Sequence, residues 1–166
     1  MEFVSIVIGS KSDYGVMQEC AKILEKFDVP YEMIISSAHR SPERTKKYVL
    51  DAESRGAQLF IAAAGMAAHL AGAIAAMSTK PVIGIPMAGG ALDGLDALLS
   101  TVQMPSGMPV ATVAIGKSGA INSAYMAMQV LALKDKELAE KLKEDRVMKA
   151  KNVELDSAQI EHLLPR

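Results

Sequence analysis

Residues 60–76, FIAAAGMAAHLAGAIAA, decide the fold. The opening of this stretch reads as the end of a buried strand, and Ala64-Gly65 breaks the run. Residues 66–76 then predict a helix made almost wholly of alanine and glycine, with one ionisable side chain, His69, near its start. A helix with such small side chains lets a neighbouring backbone or a ligand approach closely, while its first-turn amides stay free to meet an acceptor. It is expected to form one wall of an active site.

Strand followed by helix recurs on both sides of this stretch. Residues 3–8 are rich in β-branched side chains and end at Gly9; a helical pattern starts near Asp13, with Val16, Met17, Cys20, Ile23, Leu24 and Phe27 on one face. Val29-Pro30 ends that helix, and 31–36 predicts a second strand. Ser41-Pro42-Glu43 opens a helix with proline in its first turn, closed by Gly56. The third strand is 58–63, the fourth 81–86 and the fifth 110–113, with helices at 92–102 and 120–133. Such alternation argues for βαβ units, hence an α/β doubly wound three-layer sandwich around a five-stranded parallel sheet. Ligands bind such sheets outside the carboxyl ends of the strands, which singles out the loops 9–13, 36–41, 63–69 and 87–92. Residues 134–151 predict a charged helix with a narrow stripe of Leu138, Leu142 and Val147 or Met148, either a solvated outer helix or a subunit contact. With no repeat and no linker, residues 1–166 are expected to form a single domain, with a core over 3–133 and a C-terminal helical extension and tail over 134–166.

Charge narrows the function. Lys and Arg number 18 against 19 Asp and Glu, so no overall positive field attracts nucleic acid or an anionic membrane, and any phosphate must be caught locally. Three Phe, four Tyr and no Trp are too few for a single-strand stacking platform. Cys20 is the only cysteine, which excludes an intrachain disulfide and a cysteine zinc cluster, and H-x-x-x-H, H-E-x-x-H and G-x-S-x-G patterns are absent. The start MEFVSIVIGS lacks a basic leader, so a cytoplasmic location is expected. Residues 59–79 carry no formal charge, yet alanine and glycine supply little transfer energy and His69 interrupts the run, so no membrane span is expected.

Two loops carry chemistry. Gly9-Ser10-Lys11-Ser12-Asp13 is neither a Walker loop nor G-x-G-x-x-G; its hydroxyls and carboxylate suit helix capping, and equally suit a phosphate with Asp13 on sugar hydroxyls. Ser37-Ala38-His39-Arg40-Ser41-Pro42 places a proton carrier beside a guanidinium fork, although a capping loop with a surface histidine and arginine has the same letters. His69 reads either as a histidine packed in an apolar helix or as part of a site; His162, in a polar tail, reads as a surface residue.

GSKSD at 9–13, SAHRSP at 37–42, AAHLAG at 67–72 and LDGLDALLSTVQMPSGMPVATVAIGKSGAINSA from 92 to 124, taken together and in order, closely resemble the 5-(carboxyamino)imidazole ribonucleotide mutases of purine biosynthesis. The resemblance covers about 3–134. Members of that family often read SAHRTP and GGAAHLPG, where this chain has Ser41, Met66 and Ala71. The resemblance implies a flavodoxin-like fold, a homo-octamer, and a reaction without cofactor or metal that moves a carboxyl group from the exocyclic nitrogen of an aminoimidazole ribonucleotide to ring carbon 4. It implies that His39 is catalytic, that Ser10, Ser12 and Asp13 bind the ribose phosphate end, and that Ser37 and Arg40 help hold the phosphate. Ala38, Gly65, Ala68, His69 and Leu70 complete the implied substrate-binding set.

The chemistry agrees with that assignment. A carbamate loses carbon dioxide when its nitrogen is protonated, and the electron-rich ring then attacks at carbon 4, whose extra proton must leave. One histidine suits both transfers, a service worth about 10²–10⁴-fold. Confinement supplies more, so the site is expected to be small, dry and closed by the Ala/Gly wall. A flavodoxin-like flavin-binding module would share the fold, but the site loops hold no aromatic before Tyr14, and a purely structural oligomer leaves His39, Arg40 and Asp13 at strand ends unexplained. A sister class carboxylates the uncarboxylated nucleotide directly; by resemblance it carries lysine after the loop histidine and lacks A-A-H-L, whereas this chain has Arg40 and Ala67-Ala68-His69-Leu70.

Overall fold

The structure, a computed structural model, describes residues 1–162. It divides into two compact units, residues 1–128 and a second beginning at Gln129. Apolar residues of the chain's interior sit on strands that are buried on both faces, as parallel strands between helix layers must be. β1 (Phe3–Ile8) and β4 (Val82–Met87) are buried along their whole length, and β3 (Ala57–Gly65) along most of it. With β2 (Tyr31–Ile35) and the two-residue β5 (Ala111–Thr112) they form one sheet in the order β2-β1-β3-β4-β5, every pair parallel. This is the flavodoxin-like order, and its topological switch lies between β1 and β3. α1 (Tyr14–Lys26), α2 (Pro42–Arg55), α3 (Leu70–Met77), α4 (Leu95–Val102) and α5 (Lys117–Leu131) alternate with the strands.

Side chains such as Phe60, Ile61, Ile83 and Ile85 are fully buried, each contributing about 1.5–3 kcal/mol of transfer energy. The small residues matter as much. A Cβ on Gly84, in the middle of β4, would run into the Thr101 side chain and stand 2.8 Å from Val110 Cγ1, so α4 and the chain before β5 seat directly on bare backbone. Ser5, buried within β1, bonds the Tyr48 hydroxyl of α2 at 2.9 Å, and Tyr48 donates in turn to Glu32 Oε2 at 3.4 Å. Cys20 is buried on α1, its thiol pushed up to about 11 by desolvation, partly offset by a hydrogen bond from Ser123 Oγ at 3.5 Å.

Several boundaries differ from expectation. β3 does not break at Ala64-Gly65 but continues through them, pairing with Pro86 and Met87, because β4 supplies backbone partners that outweigh the weak strand preference of alanine and glycine. The helix expected from residue 66 begins only at Leu70, since Met66 sits at φ +52 and turns the chain before the helix starts. α4 likewise starts at Leu95 rather than 92, after left-handed Asp93 and Gly94, and α5 starts at Lys117, directly after left-handed Gly116. β5 is shorter than expected, although Val113 N and Gly116 N still donate to Gly84 O and Pro86 O of β4.

In the second unit, α6 runs from Lys136 to Ile160, well past the expected end at 151, because no glycine or proline interrupts it. Asp135 caps it, its carboxylate accepting from Leu138 N at 3.0 Å. Leu138 is buried and Leu142 half-buried, whereas Val147 and Met148 are exposed. Leu163 and Leu164, in the tail expected after the helix, lie outside the described residues. Among the described residues no helix is long and apolar enough to cross a membrane, and residues 59–79 divide between β3, a turn and α3.

Candidate active site

The carboxyl ends of β1, β2, β3 and β4 open onto one cleft of about 670 Å³ within the first unit. Its lining includes Ser10, Ser12 and Asp13 after β1, Ser37 to Arg40 after β2, Gly65, Ala68, His69 and Leu70 after β3, and Met87 to Gly90 after β4. Every substrate-site residue singled out in the sequence therefore borders the same space. The sequence reading missed Val16, which reaches the cleft from α1, and the individual residues Gly89 and Gly90; the Gly-Gly pair straight after a strand was the available signal.

Backbone connections bring the first two loops together. Gly9 N donates to Ala63 O and Ser36 N to Ile8 O, both at 2.9 Å, so each loop leaves the sheet in register with its neighbour. Arg40 Nη2 donates to Gly9 O at 3.1 Å, tying the second loop to the first, and Arg40 N donates to Ser37 Oγ at 3.1 Å. Arg40 Nε lies 3.5 Å from the same hydroxyl. The guanidinium is thus held at one edge, with its other N–H groups left for an anion.

Capping does not account for the first loop. Ser10 Oγ accepts from Ser12 N at 3.4 Å and from Ser12 Oγ at 3.0 Å, which caps only the single 3₁₀ turn Lys11–Asp13. Asp13 stands at the N-cap of α1 but makes no side-chain cap bond, and Ser41 and His69 likewise leave α2 and α3 without one. Helix amides thus remain available at the carboxyl edge of the sheet, where phosphate and carboxylate groups are favoured. Asp13 accepts from Ser12 Oγ at 3.4 Å; desolvation is the dominant influence and raises its carboxyl above the usual value, against the opposing hydrogen bonds from Ser12 and Ser10.

His39 and His69 come from different loops yet stack face to face, ring centroids 5.1 Å apart and planes 15° from parallel. This corrects the picture of His69 packed inside an apolar helix: it is the N-cap of α3, exposed, and it backs the His39 ring. The His39 loop is itself braced from α2. Ser41 Oγ accepts from Ser37 N at 3.2 Å and donates to Ser37 O at 3.0 Å. Thr45 Oγ1, on the first turns of α2, donates to Ser41 O at 3.1 Å and lies 2.8 Å from Ser36 Oγ, with Ser36 and Thr45 both buried.

The cleft is more open than the expected closed chamber, for His39, His69, Met66 and Ala67 are all exposed. Ala/Gly walls remove bulk from the floor; they do not by themselves roof it. Among the described residues, no three His, Cys, Asp or Glu side chains are grouped to hold a metal ion.

Strand order and cleft define a flavodoxin-like α/β protein whose switch-point site combines an arginine, a carboxylate and helix amides with a stacked histidine pair. Residues 3–152 match the AIR carboxylase family model, and the chain belongs to that family. It is 54% identical over 146 residues to a Pyrococcus abyssi protein named N5-carboxyaminoimidazole ribonucleotide mutase, covering 88% of this chain and 83% of that protein. A protein of the same name from Escherichia coli K12 is 50% identical over 143 residues, covering 86% of this chain and 85% of its own. Among solved structures, Treponema denticola PurE superposes with a TM-score of 0.88 at 28% identity, covering 98% of this chain and all of that one.

Proposed function

We propose that this chain is an isomerase that interconverts 5-(carboxyamino)imidazole ribonucleotide and 5-amino-4-imidazolecarboxylate ribonucleotide in purine biosynthesis, with His39 as the general acid and base. The observation that carries the reading is the exposed, stacked His39–His69 pair bordering the same cleft as Ser10, Ser12, Asp13 and Arg40. Arg40, Ser10, Ser12, Ser37 and the free helix amides suit the phosphate, and the Asp13 carboxylate suits ribose hydroxyls. That leaves the base facing the histidines, along the apolar wall of Ala38, Gly65, Ala68 and Leu70.

Protonated His39 gives its proton to the carbamate nitrogen. The C–N bond breaks with its electron pair remaining on nitrogen, and carbon dioxide is freed. Ring carbon 4 attacks that carbon dioxide, and neutral His39 takes the proton from carbon 4, restoring aromaticity and its own starting state. Each turnover moves one carboxyl group and returns one proton, so nothing is consumed. His69 holds the His39 ring plane and lines the path of the carboxyl group.

The chain is proposed to work in the cytoplasm as a homo-octamer. Support for assembly comes from an apolar row on α4 and the turn before it: Leu92, Leu95, Leu99 and Val102, at helical spacing, are 46–58% exposed. Val153, Leu155 and Ile160 of α6 are also exposed. Neighbouring copies would cover both sets.

The deciding assay offers the purified protein each substrate separately. The carboxyamino nucleotide should be converted to the carbon 4 carboxylate without bicarbonate, and added bicarbonate should barely change the forward rate. Turnover that instead requires the uncarboxylated nucleotide and rises with dissolved carbon dioxide would assign direct carboxylation.

A further inference from the structure

We propose that Met66 is a side-chain gate at the mouth of the cleft, spanning the gap between the β3–α3 turn and the β4–α4 loop and retaining carbon dioxide between its release and its capture. This rests on the mutase reading above.

Met66 occupies a backbone position that disfavours it. At φ +52 it lies in the left-handed region, where an L side chain crowds the following carbonyl and glycine is at ease. The turn alone would be better served by glycine. The side chain therefore has to be explained by where it goes. It is 62% exposed, so it does not fill the core. It reaches across to the opposite loop, where a Cβ built on Gly90 would stand 3.2 Å from Met66 Cγ and 3.6 Å from its sulfur. Gly90 is itself at φ +68, so the β4–α4 loop presents bare backbone where the methionine lies over it. Both residues border the cleft, and Met66 is three positions from His69.

Methionine suits a gate. Its chain is unbranched and flexible, so it can swing aside for a nucleotide and return, and it offers neither a proton nor a strong hydrogen-bond acceptor to water. Without that cover the first half of the reaction still runs: the nitrogen takes the proton from His39 and the C–N bond breaks. Carbon dioxide then escapes, His39 recovers its proton from water instead of from carbon 4, and the uncarboxylated nucleotide is released. Solution carbon dioxide can also enter and be captured in place of the original.

The test runs the forward reaction on unlabelled carboxyamino nucleotide in isotope-labelled bicarbonate, with carbonic anhydrase present. It reads label in the carbon 4 carboxylate, together with uncarboxylated nucleotide formed above the enzyme-free rate. The unaltered protein should incorporate little label. Met66→Gly, which also relieves the left-handed strain and so should fold at least as well, should raise both readouts several-fold. Met66→Leu, which restores apolar bulk, should bring them back toward the unaltered protein. If the unaltered protein transfers the carboxyl group but Met66→Gly incorporates no more label, or Met66→Leu leaks as freely as Met66→Gly, the gate is overturned and the mutase reading stands. If the unaltered protein makes no carbon 4 carboxylate from the carboxyamino nucleotide, the mutase reading itself fails, and the gate with it.

Discussion

His39 and Asp13 ask opposite things of the protein. His39 is exposed and, in the proposed mechanism, exchanges protons with the substrate, so His39→Asn should remove turnover while leaving the fold and nucleotide binding almost intact, because the change removes the proton carrier and its stack on His69 but little volume. Measurable residual turnover would move the proton chemistry to another group. Asp13 is a carboxylate that desolvation makes harder to ionise than its ordinary 3.8. Its folded pKa lies above its unfolded one, so the folded state binds more protons between the two. The stabilising contribution is complete below 3.8 and is lost as pH rises through the folded value. At neutral pH the ionised group therefore costs stability. Asp13→Asn should melt at a higher temperature than the unaltered protein at pH 7, with the gap narrowing as pH falls toward 3.8, and should bind the nucleotide more weakly. Calorimetry across pH would show it; a lower melting temperature at neutral pH would mean that the carboxylate is structurally needed.

At the scale of elements, the helices do more than cover the sheet. α2 holds the His39 loop through a short hydroxyl chain in which Thr45 joins Ser36 to Ser41 O, and Ser41 in turn closes on Ser37. Thr45→Val keeps the shape but leaves the buried Ser36 hydroxyl without its partner, at a cost of about 1–3 kcal/mol in urea unfolding. The same change should lower kcat, because the loop that presents His39 loses its bonds to Thr45. Unfolding that is unaltered would mean that water replaces the bond. This brace lies one turn into α2, so nothing about it shows in the motif itself.

At the scale of the whole molecule, exposed apolar side chains outnumber what a small monomer needs to leave uncovered. The row Leu95, Leu99 and Val102 follows an (i, i+4, i+7) repeat on a helix whose buried residues, Ala97 and Thr101, face the other way. Putting a charge in that row, as in Leu95→Lys with Leu99→Glu, should reduce the mass seen by light scattering from an octamer to smaller species, with the circular dichroism spectrum retained. An unaltered protein that is monomeric at micromolar concentration would defeat the assembly reading outright.

Strand and helix alternation, the parallel sheet and the residues around the cleft were legible in the sequence because each rests on local pattern. Buried parallel strands demand continuous apolar runs, proline and glycine mark helix ends as at Pro42 and Gly56, and a proton carrier beside a guanidinium is chemistry in two adjacent letters. What depends on partners distant in the chain was not legible. β3 runs through Ala64 and Gly65 because β4 lies alongside it, and propensity alone stops it too early. The stacking of His69 on His39, 30 positions away, and the bond from Arg40 to Gly9 O exist only once three strands align their carboxyl ends. The same holds for Met66: its letter is plain in the sequence, but its left-handed backbone and its reach to Gly90 are decided by where β3 ends relative to β4. Local free energies select the elements, and the hydrogen-bonded register of the sheet decides which loops meet.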